Sequence, residues 1–186
     1  MIIREPETFE GAFCDLNQAQ CVCVKSADVS GQPVVRQGRM ALIQGAPVFV
    51  AYEVRRKSLV FVESPEAENP TVYFLDGPDS EPNADEAQVD AVDRGQNPDL
   101  AVDLEGRVHV VYSDSSAGDL RYMRRNGDGL WIQPIIVDSD GDVGAYPRIT
   151  LDDLGQPHIV YTMNRTSNGS SGVRYALGVS EARSNA

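Results

Sequence analysis

Pro98-Asp99-Leu100-Ala101-Val102-Asp103-Leu104-Glu105-Gly106-Arg107-Val108-His109-Val110-Val111-Tyr112 is matched, without a gap and at an offset of 49, by Pro147-Arg148-Ile149-Thr150-Leu151-Asp152-Asp153-Leu154-Gly155-Gln156-Pro157-His158-Ile159-Val160-Tyr161. Pro, Asp, Gly, His, Val and Tyr recur at equivalent places, which marks an internal structural repeat. Further on, Leu120-Arg121-Tyr122 is matched by Val173-Arg174-Tyr175 at an offset of 53. The second copy therefore carries four extra residues between Asn164 and Gly172, a Ser-, Asn- and Gly-rich segment that reads as a lengthened hairpin loop.

Two earlier copies are more divergent. Met40-Ala41-Leu42-Ile43, Gly45 and Val48-Phe49-Val50-Ala51-Tyr52 repeat the pattern, with Leu59-Val60-Phe61 standing for Leu120-Arg121-Tyr122. Tyr52 aligned with Tyr112 gives an offset of 60, and the acidic, Pro-containing stretch from Gly77 to Glu86 is the place for the insertion. A shortened copy starts at Ala12, with Phe13-Cys14-Asp15-Leu16 and Cys21-Val22-Cys23-Val24 as its two apolar runs.

Each unit reads as strands separated by Gly turns. In the 97–143 unit, Leu100 to Val102 is a first strand and Val108 to Tyr112 a β-branched second strand, expected as the buried inner strand. Asp119 to Met123 is a third and Trp131 to Val137 a fourth, with Arg121, Arg124 and Arg125 on an exposed outer region. No segment has a helical period. Four antiparallel strands per repeat of this length predict an all-β, β-propeller-like fold of about 3–4 blades, approximately 10–37, 38–95, 97–143 and 146–186, in one domain over 1–186. The last unit lacks a fourth strand, and Ile2-Ile3-Arg4-Glu5-Pro6 resembles Trp131-Ile132-Gln133-Pro134-Ile135. The ring is thus expected to be a partial propeller completed by strand exchange within the chain or by self-association, as a homo-oligomer or in a larger assembly.

The repeat resembles the bacterial propeller repeat Pro-x-Leu-Ala-x-Asp-x-x-Gly-x-x-His-Val-x-Tyr followed by Gly-x-Leu-x-Tyr, over residues 97–177. That resemblance implies a secreted or surface setting and, at fold level, likeness to sialidase-like and lectin-like propellers; function still has to come from a site. The sialidase motifs themselves do not fit. Asn126-Gly127-Asp128-Gly129-Leu130-Trp131 has the wrong spacing for an Asp-box, and Tyr146-Pro147-Arg148-Ile149 scrambles the Arg-Ile-Pro order.

Charge bounds the partners. A formal net charge of −12 repels nucleic-acid phosphates and anionic membrane surfaces, and no run of about 20 apolar residues is present for a membrane-spanning helix. The first residues show no signal-peptide pattern. Cys14 and Cys21 are placed to face each other across a hairpin, as one disulfide or as two buried thiols.

The two histidines, His109 and His158, occupy one repeat position, which suits a structural role better than catalysis. No Gly-x-Ser-x-Gly or His-Glu-x-x-His run occurs. Asp138, Asp140 and Asp142, alternating in a Gly-containing loop, form the candidate metal site, for calcium. The other reading of that loop is a polar connector between blades, with no cofactor. Asp79 to Glu86 reads as a solvated loop or a partner-facing insertion, and Asn164 and Asn168 open glycosylation sequons. These features predict a non-catalytic binding or scaffolding module for a protein or glycan partner. The competing reading is a fragment of a glycan-acting hydrolase.

Overall fold

The structure, a computed structural model, describes residues 9–15, 20–25, 35–63, 71–78 and 92–178. Among these residues there is no α-helix, and every strand pairing is antiparallel. A hairpin of β1 (Phe9–Asp15) and β2 (Gln20–Lys25) comes first. The first four-stranded sheet runs in chain order through β3 (Val35–Ile43), β4 (Ala46–Glu53), β5 (Ser58–Glu63) and β6 (Thr71–Asp76). The second repeats that order with β7 (Arg94–Val102), β8 (Val108–Asp114), β9 (Asp119–Arg125) and β10 (Ile135–Asp138). The third has three strands, β12 (Ala145–Leu151), β13 (Pro157–Met163) and β15 (Gly172–Leu177). Two short strands, β11 (Gly141–Asp142) and β14 (Arg165–Thr166), pair with each other.

The sheets stack in chain order. Their first strands meet, β3 against β7 and β7 against β12, so the arrangement is that of a partial, propeller-like all-β fold, with no sheet closed into a barrel among the described residues. Alternation along β8 explains why the second sheet sits in the middle. Val108, Val110 and Tyr112 point to the first sheet, where they pack on Val48, Val50, Leu59 and Phe61. Val111 points the other way, and with Leu120 and Tyr122 it packs on Ile149, Ile159 and Tyr161 of the third. Both faces of β8 are covered, and all seven of its residues are buried. The buried strand is the second of its sheet, as expected from its apolar run, and β7 is the edge strand beside it.

Register aligns the three copies residue by residue. Arg39 pairs with Val50, Asp99 with Val111 and Arg148 with Val160, each just after a bulge. At each bulge a non-glycine residue takes positive φ: Gln37 (58°), Asn97 (51°) and Tyr146 (50°). Val50, Val111 and Val160 are therefore equivalent, and the offset between the first two sheets is 61. Tyr52 takes the place of Ser113, and Ala51 that of Tyr112. The 60-residue alignment of Tyr52 with Tyr112 is off by one because two aromatic residues happen to lie nearly in phase. Leu59 does match Leu120, as expected.

Three further expectations are adjusted. The first sheet begins at Val35, and Arg94 and Gly95 already belong to β7. The fourth strand of the second sheet starts at Ile135, with Trp131 making only a single bridge to Arg125. Pro134 has no N–H to donate, so pairing resumes after it. The insertion in the last copy is more than a longer turn, because its β14 clasps β11 in the connector between the second and third sheets. Cys14 and Cys21 are register partners in the first hairpin, as expected. Ile2 to Pro6 and the acidic segment Asp79 to Glu86 lie outside the described residues.

Two glycines seat one sheet on the next. A Cβ at Gly95 (φ +96°) would lie 2.4 Å from the Leu59 backbone nitrogen, and one at Gly144 (φ +78°) would lie 2.6 Å from the Leu120 Cα. Both the positive φ and the contact demand glycine.

Candidate functional site

The chemistry-bearing residues of the repeat fall into two sets: ties within and between sheets, and the wall of a cleft. Within the second sheet, Asp103 sits at the β7–β8 turn and accepts the backbone N–H groups of Glu105 and Arg107. Its other oxygen takes the Arg107 side chain and lies 3.4 Å from His109 Nε2. The Tyr122 hydroxyl is 2.8 Å from His109 Nδ1. This geometry assigns a neutral imidazole whose Nε2–H faces Asp103 and whose Nδ1 accepts from the tyrosine. Burial holds His109 below its ordinary pKa, only partly offset by Asp103. Burial also pushes the Tyr122 hydroxyl up to about 12.

The third sheet repeats the arrangement. Asp152 accepts the N–H groups of Leu154 and Gln156, and the Tyr175 hydroxyl lies 2.7 Å from His158 Nδ1. The Asp-x-x-Gly-x-x-His run is thus a turn and its brace. Both histidines hold their own sheets together.

Between sheets, a second set recurs. Asp76, at the end of β6, accepts the Tyr112 hydroxyl at 2.6 Å and faces Arg94 at 3.3 Å and Arg121 at 3.4 Å. Asp114 faces the same two guanidinium groups at 3.0 and 2.8 Å, so two carboxylates and two arginines alternate around a buried centre. Asp138 is the register equivalent of Asp76, since Leu59 pairs with Asp76 and Leu120 with Asp138. It accepts the Tyr161 hydroxyl at 2.7 Å and Arg174 at 2.7 Å. Arg121, expected on an exposed region, is held in this centre, and Arg125 is paired with Glu63.

These contacts decide what the proposed metal ligands touch. Asp138 and Asp140 are brought together, but around the Arg174 guanidinium, which Asp140 meets at 2.8 Å. Asp140 also accepts from the Ser167 hydroxyl, and Asp142 from Asn164. Hydrogen bonds from Ser167 and Arg174 pull the Asp140 pKa down to about 2. Asp138 is desolvated, yet its bonds from Tyr161 and Arg174 keep it below the ordinary carboxylate value. Among the described residues, no group of three His, Cys, Asp or Glu side chains is arranged to hold a metal ion.

A cleft of about 1020 Å³ opens between the second and third sheets, lined by Arg107, His109, Tyr122, Arg124, Ile135 and Gln156 among others. Leu120, Tyr122 and Arg124 share one face of β9, so Arg124 projects toward the third sheet. Its Nε is buried and has no hydrogen-bond partner among the described residues. Arg107 beside it is matched by Asp103 and Glu105. The cleft therefore has an apolar floor from Ile135, tyrosine and glutamine at its wall, and one unmatched guanidinium. Sequence reading passed over Arg124 as an outer-strand cation. Its period-2 phase with Tyr122 was the available signal.

No family model and no curated protein matches the sequence. Among solved structures, the fold is similar to that of a protein of unknown function from Dyadobacter fermentans DSM 18053, at a TM-score of 0.59 and 13% identity; the match covers 89% of this chain and 44% of that one. A fucose lectin from Kordia zhangzhouensis, solved in complex with methyl-fucoside, aligns at a TM-score of 0.40 and 12% identity over 78% of this chain and 99% of the lectin. The first likeness agrees with the stacked, all-β architecture. This chain spans less than half the length of that protein. Among the described residues no helix is long and apolar enough to cross a membrane.

Proposed function

We propose that this chain is a non-catalytic β-propeller module that binds a glycan, and that the cleft between the second and third sheets takes a carboxylate-bearing sugar. The supporting observation is Arg124: a buried guanidinium nitrogen without a partner favours an oxygen anion, which it would meet by a charge-assisted bond. Tyr122, Gln156 and Ile135 offer the mixed polar and apolar wall on which a sugar ring rests. The repeat aspartates brace their own turns and the histidines meet the tyrosines of their own sheets, which leaves them no reacting partner in this reading.

Calorimetric titration with uronate- or sialate-bearing oligosaccharides, against neutral ones of the same length, tests it. The acidic sugars bind, and Arg124→Ala weakens them by about tenfold or more, the loss expected for one charged hydrogen bond. Equal binding of neutral sugars, or an unchanged affinity in Arg124→Ala, contradicts the assignment. Turnover of a chromogenic glycoside panel would replace it with the hydrolase reading.

A further inference from the structure

All three cysteines of the chain, Cys14, Cys21 and Cys23, fall in the hairpin that precedes the first sheet. Neither the ties between sheets nor the cleft uses them. The register places Cys14 of β1 directly opposite Cys21 of β2, and Ala12 opposite Cys23. Residues two apart on a strand share a face, so the three cysteine positions and Ala12 make one face of the hairpin. Phe13, Val22 and Val24 belong to the other face, where Phe13 pairs with Val22 and Gly11 with Val24. Period-2 alternation thus sorts the cysteines from the apolar residues.

Backbone spacing separates the three possible pairings. Directly opposite residues of an antiparallel pair have Cα atoms about 4.5–5.5 Å apart, inside the range of about 4.4–6.8 Å that a disulfide bridges. Cys14 and Cys23 stand on the diagonal, about 7–8 Å apart, which is too far. Cys21 and Cys23 are separated by two strand rises, about 6.6 Å, at the limit of that range. We propose that Cys14 and Cys21 are a thiol–disulfide redox pair, a reversible cross-link across the hairpin, with Cys23 left as a thiol on the same face. The co-reactant is a small-molecule disulfide such as oxidised glutathione. One cysteine thiolate displaces a thiol from it and forms a mixed disulfide; the second displaces the other thiol and forms the Cys14–Cys21 bond. The two cysteines lose two protons and two electrons, and the small disulfide becomes two thiols. Among the described residues β1 and β2 form a sheet of their own. A two-stranded hairpin alone is marginally stable in water, so the cross-link decides how firmly this one is held.

The full chain, equilibrated in mixtures of reduced and oxidised glutathione and then alkylated, tests the proposal by intact and peptide mass. The oxidised chain is expected to take one label, at Cys23, and three after reduction. Cleavage at Asp15 separates Cys14 from Cys21, and the two fragments stay joined until a reductant is added. Cys23→Ser keeps the cross-link and takes no label, whereas Cys14→Ser and Cys21→Ser each lose it. Unfolding in urea shifts the same equilibrium toward the thiols by more than about tenfold, because the register that pairs them is gone. Reduction of the wild type speeds amide hydrogen exchange in β1 and β2 and leaves β8 protected. Three labels at every glutathione ratio, or glutathione adducts without an internal bond, overturn the proposal. So does a wild-type cross-link that uses Cys23, or hairpin exchange that is the same in both redox states.

Discussion

At the scale of single residues, the histidines show how one repeat position takes two energetic weights. His109 is fully buried between Asp103 and Tyr122, whereas the partly exposed His158 keeps only the tyrosine contact, with its Nε2 3.6 Å from Asp152 and beyond hydrogen-bond distance. Removing the ring from the buried site strands the Tyr122 hydroxyl, at about 1–3 kcal/mol, while Asp103 keeps Arg107. His109→Ala is therefore expected to lower the urea-derived stability by that amount, and His158→Ala by less than about 1 kcal/mol. The sign of the pH effect follows from the depressed pKa of folded His109. As pH falls through about 6.5 the unfolded chain binds the proton first, so the stability present above that pH declines. His109→Gln removes this part of the pH dependence. A second acid phase belongs to Asp138 and Asp140, whose folded pKa values are also depressed. Their contribution is present above about pH 4 and is lost toward about 2. It is checked by the same melts repeated on Arg174→Met, which lacks the partner.

At the scale of strands and turns, the fold was largely legible because period-2 alternation and Gly turns are local signals. Val108 to Asp114 reads as a strand for the same reason that it becomes one. What escaped depends on non-local pairing. Pro134 removed the front of the fourth strand, and β11 and β14 pair across the 22 intervening positions of chain for only two residues each. The first copy was misaligned by one residue because its first hairpin is a tight turn at Gln44 and Gly45, both at positive φ, where the later copies have the longer Asp turn. The seating glycines give a prediction at this scale. Gly95→Ala and Gly144→Ala must move the backbone of the adjacent sheet as well as strain their own, and each costs about 3 kcal/mol or more. Gly45→Ala, with nothing within 4 Å of its Cβ, costs about 1–2 kcal/mol from its φ alone. Chemical denaturation of the three variants measures the difference.

At the scale of the whole molecule, the sheets are held in order by apolar faces and by a polar tie that recurs at each junction. The tie was only half legible. The alternating carboxylates at Asp138, Asp140 and Asp142 resemble a calcium loop as a string of letters, but Asp138 has a counterpart in Leu75-Asp76-Gly77 that the divergent first copy obscured. Once the sheets are stacked, both aspartates face a tyrosine from the second strand of the next sheet and an arginine from its third. Asp99 adds a link among the first strands, accepting from the Ile149 N–H at 3.0 Å and facing Arg39 at 3.6 Å. The cleft was illegible for a simpler reason: its wall is assembled from two repeats, and no single motif contains it.

The stacking of repeats through these ties is tested most directly by a double-mutant cycle of Asp138→Asn and Tyr161→Phe, with stability measured by urea denaturation in calcium-free buffer. The account predicts that the two changes are coupled by about 0.5–3 kcal/mol, and that added calcium leaves the wild-type midpoint unchanged. Additive effects of the two substitutions, together with a rise in stability on adding calcium that Asp138→Asn abolishes, would contradict it.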